Sequence, residues 1–241
     1  MTFSHHIHAA LARERRDTLL AEAAAARQAR PARARRRQAG VTAGSRTVLR
    51  DGSHVLIRPV RSSDAPLLAD GFTRLSATSR WMRFLTPKKE LSPAELRYFT
   101  DLDHHDHEAL GALDHADGRG VGIARYVRDA DDPQAAEIAV TIIDDWQGRG
   151  LGTELVAQLS DRARSAGIRR FTALVAADNP AMAGLLRAVR ADLVCREPGA
   201  LRYEITLGPA DSTARLAYPA ITMIRLVTCQ IRLRQNPPPS P

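Results

Sequence analysis

Cysteines, aromatic residues and long apolar runs are all scarce in this sequence of 241 residues. The two cysteines, Cys195 and Cys229, form neither a metal-ligand spacing nor a disulfide framework, which is typical of proteins from a reducing compartment. No stretch approaches the ~20 consecutive apolar residues that span a bilayer, and His and Arg interrupt the N-terminal segment where a signal peptide needs an apolar core. The sequence therefore predicts a cytoplasmic protein without a membrane-spanning helix.

Positive charge is concentrated at the two ends of the chain. Residues 1–46 carry ten arginines against three acids and residues 208–241 carry four arginines against Asp211, so the overall charge of +8 leaves −2 for residues 47–207. Clustered cations attract phosphates without requiring them, and we therefore do not expect a nucleic-acid partner. The composition predicts an Arg/Ala-rich disordered tail (1–46), a folded domain (47–207) and a C-terminal extension (208–241) with a disordered, proline-rich end.

Strand-like and helix-like patterns alternate through the predicted domain. The pattern predicts strands at 54–60, 108–113, 121–127, 136–143 and 171–176, with two more within 193–207, and helices at 64–75, 79–84, 92–100, 151–166 and 179–189. Ser92 and Glu95 have the spacing of a capping box, and Gly167 follows the longest helix where a left-handed residue is favoured. This alternation predicts an α/β (α+β) architecture in which helices flank a sheet.

A glycine-rich turn joins the predicted strand 136–143 to the predicted helix 151–166. Gly148, Gly150 and Gly152 lack the Cβ atoms that would keep a ligand away from the backbone, and the helix directs its free N–H groups and positive dipole end into the turn. This arrangement predicts a phosphate-binding site. The sequence lacks the string of a Walker P-loop, and its Gly-x-Gly-x-Gly spacing differs from the Gly-x-Gly-x-x-Gly of dinucleotide-binding folds.

The turn and the segment after the next strand resemble one known family. Residues 147–152, Gln-Gly-Arg-Gly-Leu-Gly, are similar to the Gln/Arg-x-x-Gly-x-Gly/Ala pyrophosphate motif of GNAT acetyltransferases, and residues 178–186 are similar to the Asn-led helix beside the cofactor in that family. The resemblance extends from about residue 50 to 207 and points to the catalytic domains of bacterial protein lysine acetyltransferases. It implies the GNAT fold, with a mixed, mostly antiparallel sheet flanked by helices and splayed at the acetyl-CoA site.

The resemblance implies an acetyl-CoA site, and the sequence itself predicts no metal site. Backbone N–H groups from Gly148 to Thr153 would bind the pyrophosphate, and the Ile142 backbone would bind the pantetheine arm. The residues assigned to the cofactor on this basis are Val140, Ile142, Gln147, Gly148, Arg149, Gly150, Leu151, Gly152, Thr153, Asn179 and Met182. A histidine cluster at 104–107 does not change the metal expectation, because neighbouring residues of one loop rarely converge on one ion.

Strand 136–143 is expected to supply the catalytic groups. A lysine amine with a pKa of ~10.4 is protonated at neutral pH, so a base near the thioester is useful. Glu137 is the one carboxylate in this apolar strand, at the position where the resembling enzymes have their base. Burial among Ile138, Val140 and Ile142 would raise its pKa, whereas the alternative is a strand-end carboxylate that faces water. The resemblance also makes the Val140 N–H the donor to the developing oxyanion.

The helix predicted at 179–189 carries a motif match and two departures from the family. Asn179 would bind the pantetheine arm or cap its helix, and Met182 would pack beside the cofactor or in the core. Leu186 stands where many GNAT enzymes have a tyrosine general acid, so no acid is assigned. Residues 189–191, Val-Arg-Ala, replace the usual Leu-Gly-Phe, so the glycine cap is missing, at a cost of about 1 kcal/mol.

These observations predict an enzyme that transfers an acetyl group from acetyl-CoA directly to a primary amine. The resemblance implies a protein lysine as acceptor, with acyl-CoA synthetases among the partners. The lack of a long apolar run predicts no membrane association. Two alternatives stay open: a small amine or a protein N-terminus as acceptor, and a catalytically weak acyl-CoA-binding or nucleic-acid-associated protein that uses the basic tail. The oligomeric state and the purpose of residues 208–234 stay open as well.

Overall fold

The computed structural model of the chain describes residues 44–84, 86–197 and 199–208. The predictions of a disordered tail before residue 44 and of an extension after residue 208 fall outside these residues, so the proposed domain limits stay predictions. The elements within the described ranges follow the predicted order closely. One strand that the sequence did not predict precedes them.

The described strands and helices alternate along the chain. The strands are β1 (Ser45–Val48), β2 (His54–Pro59), β3 (His107–Asp114), β4 (Gly120–Arg128), β5 (Ala135–Ile142), β6 (Arg170–Ala176), β7 (Asp192–Glu197) and β8 (Ala200–Thr206). The helices are α1 (Ala65–Thr73), α2 (Ala77–Phe84), α3 (Pro93–Thr100), α4 (Leu151–Ser165) and α5 (Pro180–Ala188), with short 3-10 turns at Ser62–Asp64 and Asp144–Trp146.

The eight described strands form one sheet in the order β1-β2-β3-β4-β5-β6-β8-β7. Neighbouring strands are antiparallel except for β5 and β6, which are parallel. Helix α4 supplies the crossover that a parallel pair requires. The sheet is therefore mixed and mostly antiparallel, as the sequence predicted.

Helices pack on both faces of the sheet. Helix α4 packs on one face against β3, β4 and β5, and α1 packs against β4 and α3. On the α4 face the core contains the fully buried side chains of Leu155, Leu159, Tyr126 and Phe171. Because successive strand residues point to opposite faces, this packing fixes which residues of β5 face each helix layer.

The parallel pairing of β5 and β6 is unusually short. It joins three residue pairs, from Ala135 with Arg170 to Glu137 with Thr172. Beyond Glu137, β5 continues to pair with β4, and β6 continues to pair with β8. The two strands therefore diverge, and the gap between them is called the wedge below.

The structure differs from the sequence expectations in two places, at the first strand and at the end of helix α5. Strand β1 begins at Ser45, within the segment predicted to be a tail, and it pairs with β2 at the sheet edge. Helix α5 ends without a glycine, but Arg190 itself adopts the left-handed conformation with φ 55°. The Ala191 N–H then donates to the Leu186 carbonyl at 2.9 Å. The left-handed helix end is thus formed by an arginine, and the final strands follow as predicted.

Candidate active site

The glycine-rich turn leads from the end of β5 into α4 with two residues in the left-handed region. Gly148 has φ 76° and Gly150, the N-cap of α4, has φ 90°. Only glycine adopts such conformations without steric cost. The first α4 hydrogen bond after this cap runs from the Glu154 N–H to the Gly150 carbonyl at 3.2 Å, so the N–H groups of 151–153 precede the helical ladder.

An arginine from the β1–β2 connection lies over this turn. A Cβ atom at Gly150 would lie 3.3 Å from the Arg50 Nε, and the Arg50 N–H donates to the Arg149 carbonyl at 3.3 Å. The Arg50 side chain is exposed. The helix N-terminus and this guanidinium therefore present positive charge at the same place, which is the electrostatic requirement of a diphosphate site.

The backbone N–H groups of residues 148–153 are called the cradle below. The side chain of Arg149 is directed away from them. Its Nη1 donates to the Ser53 hydroxyl at 3.2 Å, its Nη2 donates to the Asp145 carbonyl at 2.6 Å, and its guanidinium lies 4.7 Å from the Trp146 ring. The backbone N–H of Arg149, and not its side chain, is therefore the group available to a ligand. Leu151 likewise has a buried side chain, 1% exposed.

Hydrogen bonds tie the start of the turn to helix α2. Asp144 accepts from the Ser76 N–H at 2.9 Å and from the hydroxyls of Ser76 and Ser79 at 2.8 Å. Burial opposes ionisation of Asp144, but these hydrogen bonds outweigh it and lower the pKa of its carboxyl. Gln147 donates to the Ile142 carbonyl at 3.1 Å. The turn and the helix on the other side of the sheet are thus held together.

The backbone of β5 exposes two predicted site residues to the wedge. The Ile143 N–H donates to the Val121 carbonyl at 3.1 Å, and the Asp129 N–H donates to the Ala135 carbonyl at 3.0 Å, so odd-numbered residues of β5 bond toward β4. Hydrogen-bond direction alternates along a strand. The peptide groups of Val140 and Ile142 therefore point to the other side, where β6 has diverged.

The side chain of Glu137 lies on the opposite face of β5 from Ile138, Val140 and Ile142. Ile138, Val140 and Ile142 pack with the core under α4. Glu137 alternates with them and shares the other face with Thr141, so its predicted burial among those three side chains is wrong. Glu137 is half-buried and lies at the apex of the wedge.

Charged side chains from β4 and α2 lie on the face of the sheet that Glu137 and Thr141 share. Arg83 of α2 is half-buried, and desolvation followed by the charge of Arg125 lowers its pKa to about 10, while the charge of Glu137 opposes this shift. Arg83 stays a cation at neutral pH. Both arginines line a cavity of about 110 Å³ between the sheet and helices α1–α3. The Cα partner of Arg125 on β5 is Ala139.

Helix α5 closes the site on the α4 side. The Asn179 Oδ1 accepts from the Met182 N–H at 3.2 Å, which makes Asn179 the helix cap, and Met182 packs against the core. A Cβ atom at Gly152 would lie 3.5 Å from the Leu185 side chain, so α4 and α5 approach closely there. Leu186, which stands at the family's tyrosine position, is 7% exposed.

The histidine cluster is organised by hydrogen bonds within its loop and with the sheet. Asp103 Oδ1 accepts from the backbone N–H groups of residues 105, 106 and 107. The His104 Nδ1 lies 2.8 Å from the buried Glu108 carboxylate. Within the described residues, no group of three His, Cys, Asp or Glu side chains is arranged to hold a metal, and no helix is suited to crossing a membrane.

The model of the acetyltransferase (GNAT) domain family matches residues 54–191, which contain the wedge, the turn and helix α5. The chain belongs to the GNAT acetyltransferase family. Members use acetyl-CoA as the acetyl donor, so the predicted acetyl-CoA-dependent acetyltransferase and its GNAT fold are both confirmed.

Named GNAT relatives agree with the resemblance to protein acetyltransferases. A Pseudomonas aeruginosa acetyltransferase is 44% identical over 143 residues, 58% of this chain and 76% of that protein. The acetyltransferase Pat of Mycolicibacterium smegmatis is 32% identical over 164 residues, 68% of this chain and 49% of Pat. The crystal structure of the GNAT domain of S. lividans PAT has a TM-score of 0.64 and 30% identity, covering 74% of this chain and 99% of that domain.

Three arginines of this GNAT domain were not assigned to the site from the sequence. Arg50 and Arg83 stand in segments with many other arginines, and no local pattern distinguishes them. Arg125 could have been singled out from the sequence, because it is a charged residue in the middle of the apolar strand β4. A charge in such a position is either paired or functional.

Proposed function

We propose that this GNAT enzyme transfers the acetyl group of acetyl-CoA to a protein lysine side chain, with Glu137 as the general base. The observation that carries the proposal is the wedge, which has Glu137 at its apex and the glycine-rich turn at its open end. A protein acceptor is what the family resemblance implies, and the chain is similar to the acetyltransferase Pat and to the GNAT domain of S. lividans PAT. Acyl-CoA synthetases are the protein class that we would test first, in line with the family resemblance.

The residues around the wedge fit acetyl-CoA. The N–H groups of Gly148 to Thr153, with Arg50 beside them, would hold the pyrophosphate, because positive φ angles and a missing Cβ let the ligand approach the backbone. The peptide groups of Ile142 would bond the pantetheine arm in the wedge. The bound cofactor supplies the activated thioester.

Two groups of β5 would then act on the reaction. Glu137 accepts one proton of the attacking ammonium group, directly or through a water molecule, and the neutral amine attacks the thioester carbonyl carbon. As the amide C–N bond forms, the thioester C–S bond breaks, and coenzyme A leaves as a thiolate while the amine nitrogen loses its second proton to solvent. The Val140 N–H, which points into the wedge, donates a hydrogen bond to the thioester oxygen as negative charge develops there. Arg83 lies near enough to Glu137 for the charges of the two side chains to interact.

The base assignment predicts a selective loss of turnover in Glu137→Gln. General-base catalysis contributes about 10²–10⁴-fold, so kcat should fall by at least about 100-fold while the KM for acetyl-CoA stays within about twofold. Steady-state kinetics with a lysine peptide measure both constants. Glu197→Gln on the edge strand β7 is the matched control and should behave like the original protein. Equal kcat values for Glu137→Gln and the control would remove Glu137 from the mechanism.

The cradle assignment predicts a loss of cofactor affinity in Gly150→Ala. The added Cβ would meet the Arg50 side chain at 3.3 Å and would strain a residue with φ 90°. We expect calorimetric titration with coenzyme A to show affinity at least about 10-fold lower, because the N–H groups of the helix start lose their alignment. Gly118→Ala, which introduces the same strain at φ 73° in the β3–β4 hairpin, is the control. Undiminished affinity in Gly150→Ala contradicts the cradle.

The acceptor class is tested with labelled acetyl-CoA and a cell lysate. Incorporation of label into lysine side chains of particular proteins, lost in Glu137→Gln, is the expected result. Label that enters small amines or protein N-termini alone would move the assignment to the other acceptor class. This experiment separates the acceptor question from the cradle and base assignments, which the two variants test.

A further inference from the structure

The cavity beneath helices α1–α3 has an apolar wall with a charged end. Its side chains include Leu68, Phe72, Phe84 and Phe99, together with glycines of β3 and β4 that leave space above the sheet. The charged lining residues are three arginines and one aspartate. An apolar cavity with a few convergent polar groups is the usual form of a small-ligand site.

Arg125 reaches this cavity with an unused hydrogen-bond donor. The residue is 6% exposed, its guanidinium lies 4.7 Å from the ring centres of both Tyr98 and Phe99, and its Nη2 donates to the Tyr98 hydroxyl at 2.8 Å. Its Nη1 is buried and has no hydrogen-bond partner among the described residues. A buried donor of a cation without a partner is costly, so a bound acceptor atom there would be strongly favoured.

The charges around the cavity leave room for one anion. Arg58 and Asp64 satisfy one another through two hydrogen bonds of 2.6 and 2.8 Å. Arg83 and Arg125 then remain as lining cations, and Glu137 is a carboxylate whose charge acts on Arg83. Among the described residues, these two cations and the single carboxylate of Glu137 leave an excess positive charge in a mostly apolar space. A further negative charge would be stabilised there.

The cavity lies next to the position proposed for acetyl transfer. Thr141, which belongs to the stretch of β5 that borders the wedge, lines the cavity. Arg125 stands across from Ala139 on β4, one residue before Val140, whose N–H points into the wedge. A group bound at Arg125 would therefore belong to a molecule whose other end can reach the proposed base on the same face of the sheet.

We propose that the cavity binds a carboxylate carried by the amine acceptor, held by hydrogen bonds from Arg125 Nη1 and by the charge of Arg83. A carboxylate matches the planar fork of a guanidinium, and it is small enough for a cavity of about 110 Å³. The inference rests on the proposed amine transfer, because it identifies the acceptor as an amine that bears a nearby carboxylate. That carboxylate comes either from an acidic side chain next to a target lysine or from a small amino acid.

Binding of a carboxylate is tested without catalysis by ligand-observed NMR on the 241-residue chain. The probes are pentanoate and pentanamide, which have the same shape and differ in charge. We expect pentanoate to bind at least about 10-fold more tightly than pentanamide, and Arg125→Gln to remove that difference, since the guanidinium is the proposed partner. Arg83→Gln should weaken pentanoate binding severalfold, whereas Arg196→Gln on the exposed side of β7 should not change it.

Equal binding of the two probes to the original protein would overturn the inference. If Arg125→Gln does not fold, Arg125→Lys and Arg83→Gln decide, because lysine keeps the charge but loses the fork. Undiminished pentanoate binding in both variants would also overturn it.

Matched acceptors then identify the source of the carboxylate. One pair is a lysine peptide with a neighbouring Glu and its Gln counterpart, and the other is an ω-amino carboxylate and its amide. We expect a KM at least about 10-fold lower for the carboxylate in one pair, and that pair names the source. Acetylation without preference in either pair overturns the carboxylate inference alone. Pentanoate binding through Arg125 without acetyl transfer to any amine contradicts the proposed function alone.

Discussion

Arg190 ends helix α5 in the left-handed region. A residue with a Cβ atom has a steric cost of about 1–2 kcal/mol in this conformation, whereas glycine has no steric cost. We expect Arg190→Gly to raise the free energy of unfolding by about 0.5–1 kcal/mol, since glycine relieves the strain but loses more backbone entropy. Urea unfolding measures the change. Arg187→Gly, three residues earlier within α5, is the matched control and should lower stability by about 1 kcal/mol. Equal destabilisation in both variants would contradict the left-handed helix end.

Single residues also show how far the sequence determines the site. The glycines of the turn were predictable, because three alternate glycines between a strand and a helix are typical of a phosphate-binding turn, and two of them have positive φ. The burial of Glu137 among Ile138, Val140 and Ile142 was mispredicted, because the alternation of a strand places those three side chains on the opposite face. The role of Arg125 depends on Tyr98 and Phe99, which approach it from a distant helix, and no local pattern reports such a contact.

Helix α2 is connected to the glycine-rich turn through Asp144, whose carboxylate also lies at the helix N-terminus. We expect Asp144→Asn to lower the free energy of unfolding by about 1 kcal/mol at neutral pH, because an amide has one acceptor oxygen and no charge for the helix dipole. The hydrogen exchange of α2 amides should rise more than that of α3 amides. Uniform exchange changes in the two helices would show that Asp144 does not hold α2 specifically.

Elements with local start and stop signals were predicted well. In α3 the Ser92 hydroxyl accepts from the Glu95 N–H at 3.3 Å, and the Glu95 carboxylate accepts from the Ser92 N–H at 2.9 Å, so the predicted capping box is present. Strand β1 was missed because its four residues are mostly exposed and its stability comes from pairing with β2. Short edge strands lack the buried alternation on which sequence patterns depend.

Acid stability is a property of the whole molecule, and the Arg58–Asp64 pair illustrates its direction. Burial opposes ionisation of Asp64, but hydrogen bonds from Arg58 and from the Arg61 N–H outweigh it and lower its pKa below the ordinary 3.8. The same direction holds for Asp51, Asp70, Glu95, Asp106 and Asp144. A lowered folded-state pKa contributes stability that is present above the unfolded pKa and is lost as the pH falls through the folded value.

We therefore expect the free energy of unfolding to decline below about pH 4. Asp64→Asn should cost about 3 kcal/mol at neutral pH, because it leaves a buried arginine without its partner, and the variant should show a shallower decline in acid. Urea titrations between pH 3 and 7 measure both effects. Parallel pH profiles for the two proteins would assign the acid sensitivity to other carboxylates.

The short pairing of β5 with β6 gives the fold an internal seam. Two blocks, β1–β5 and β6–β8, meet along three residue pairs, and among the described residues no strand neighbours the remaining backbone groups on this side of β5. In the proposed complex the pantetheine amides take up the bonds that a ninth strand would have made. Cofactor binding would then also complete the hydrogen bonding of β5. The strand pair with the fewest paired residues lies in the interior of this sheet instead of at its edges.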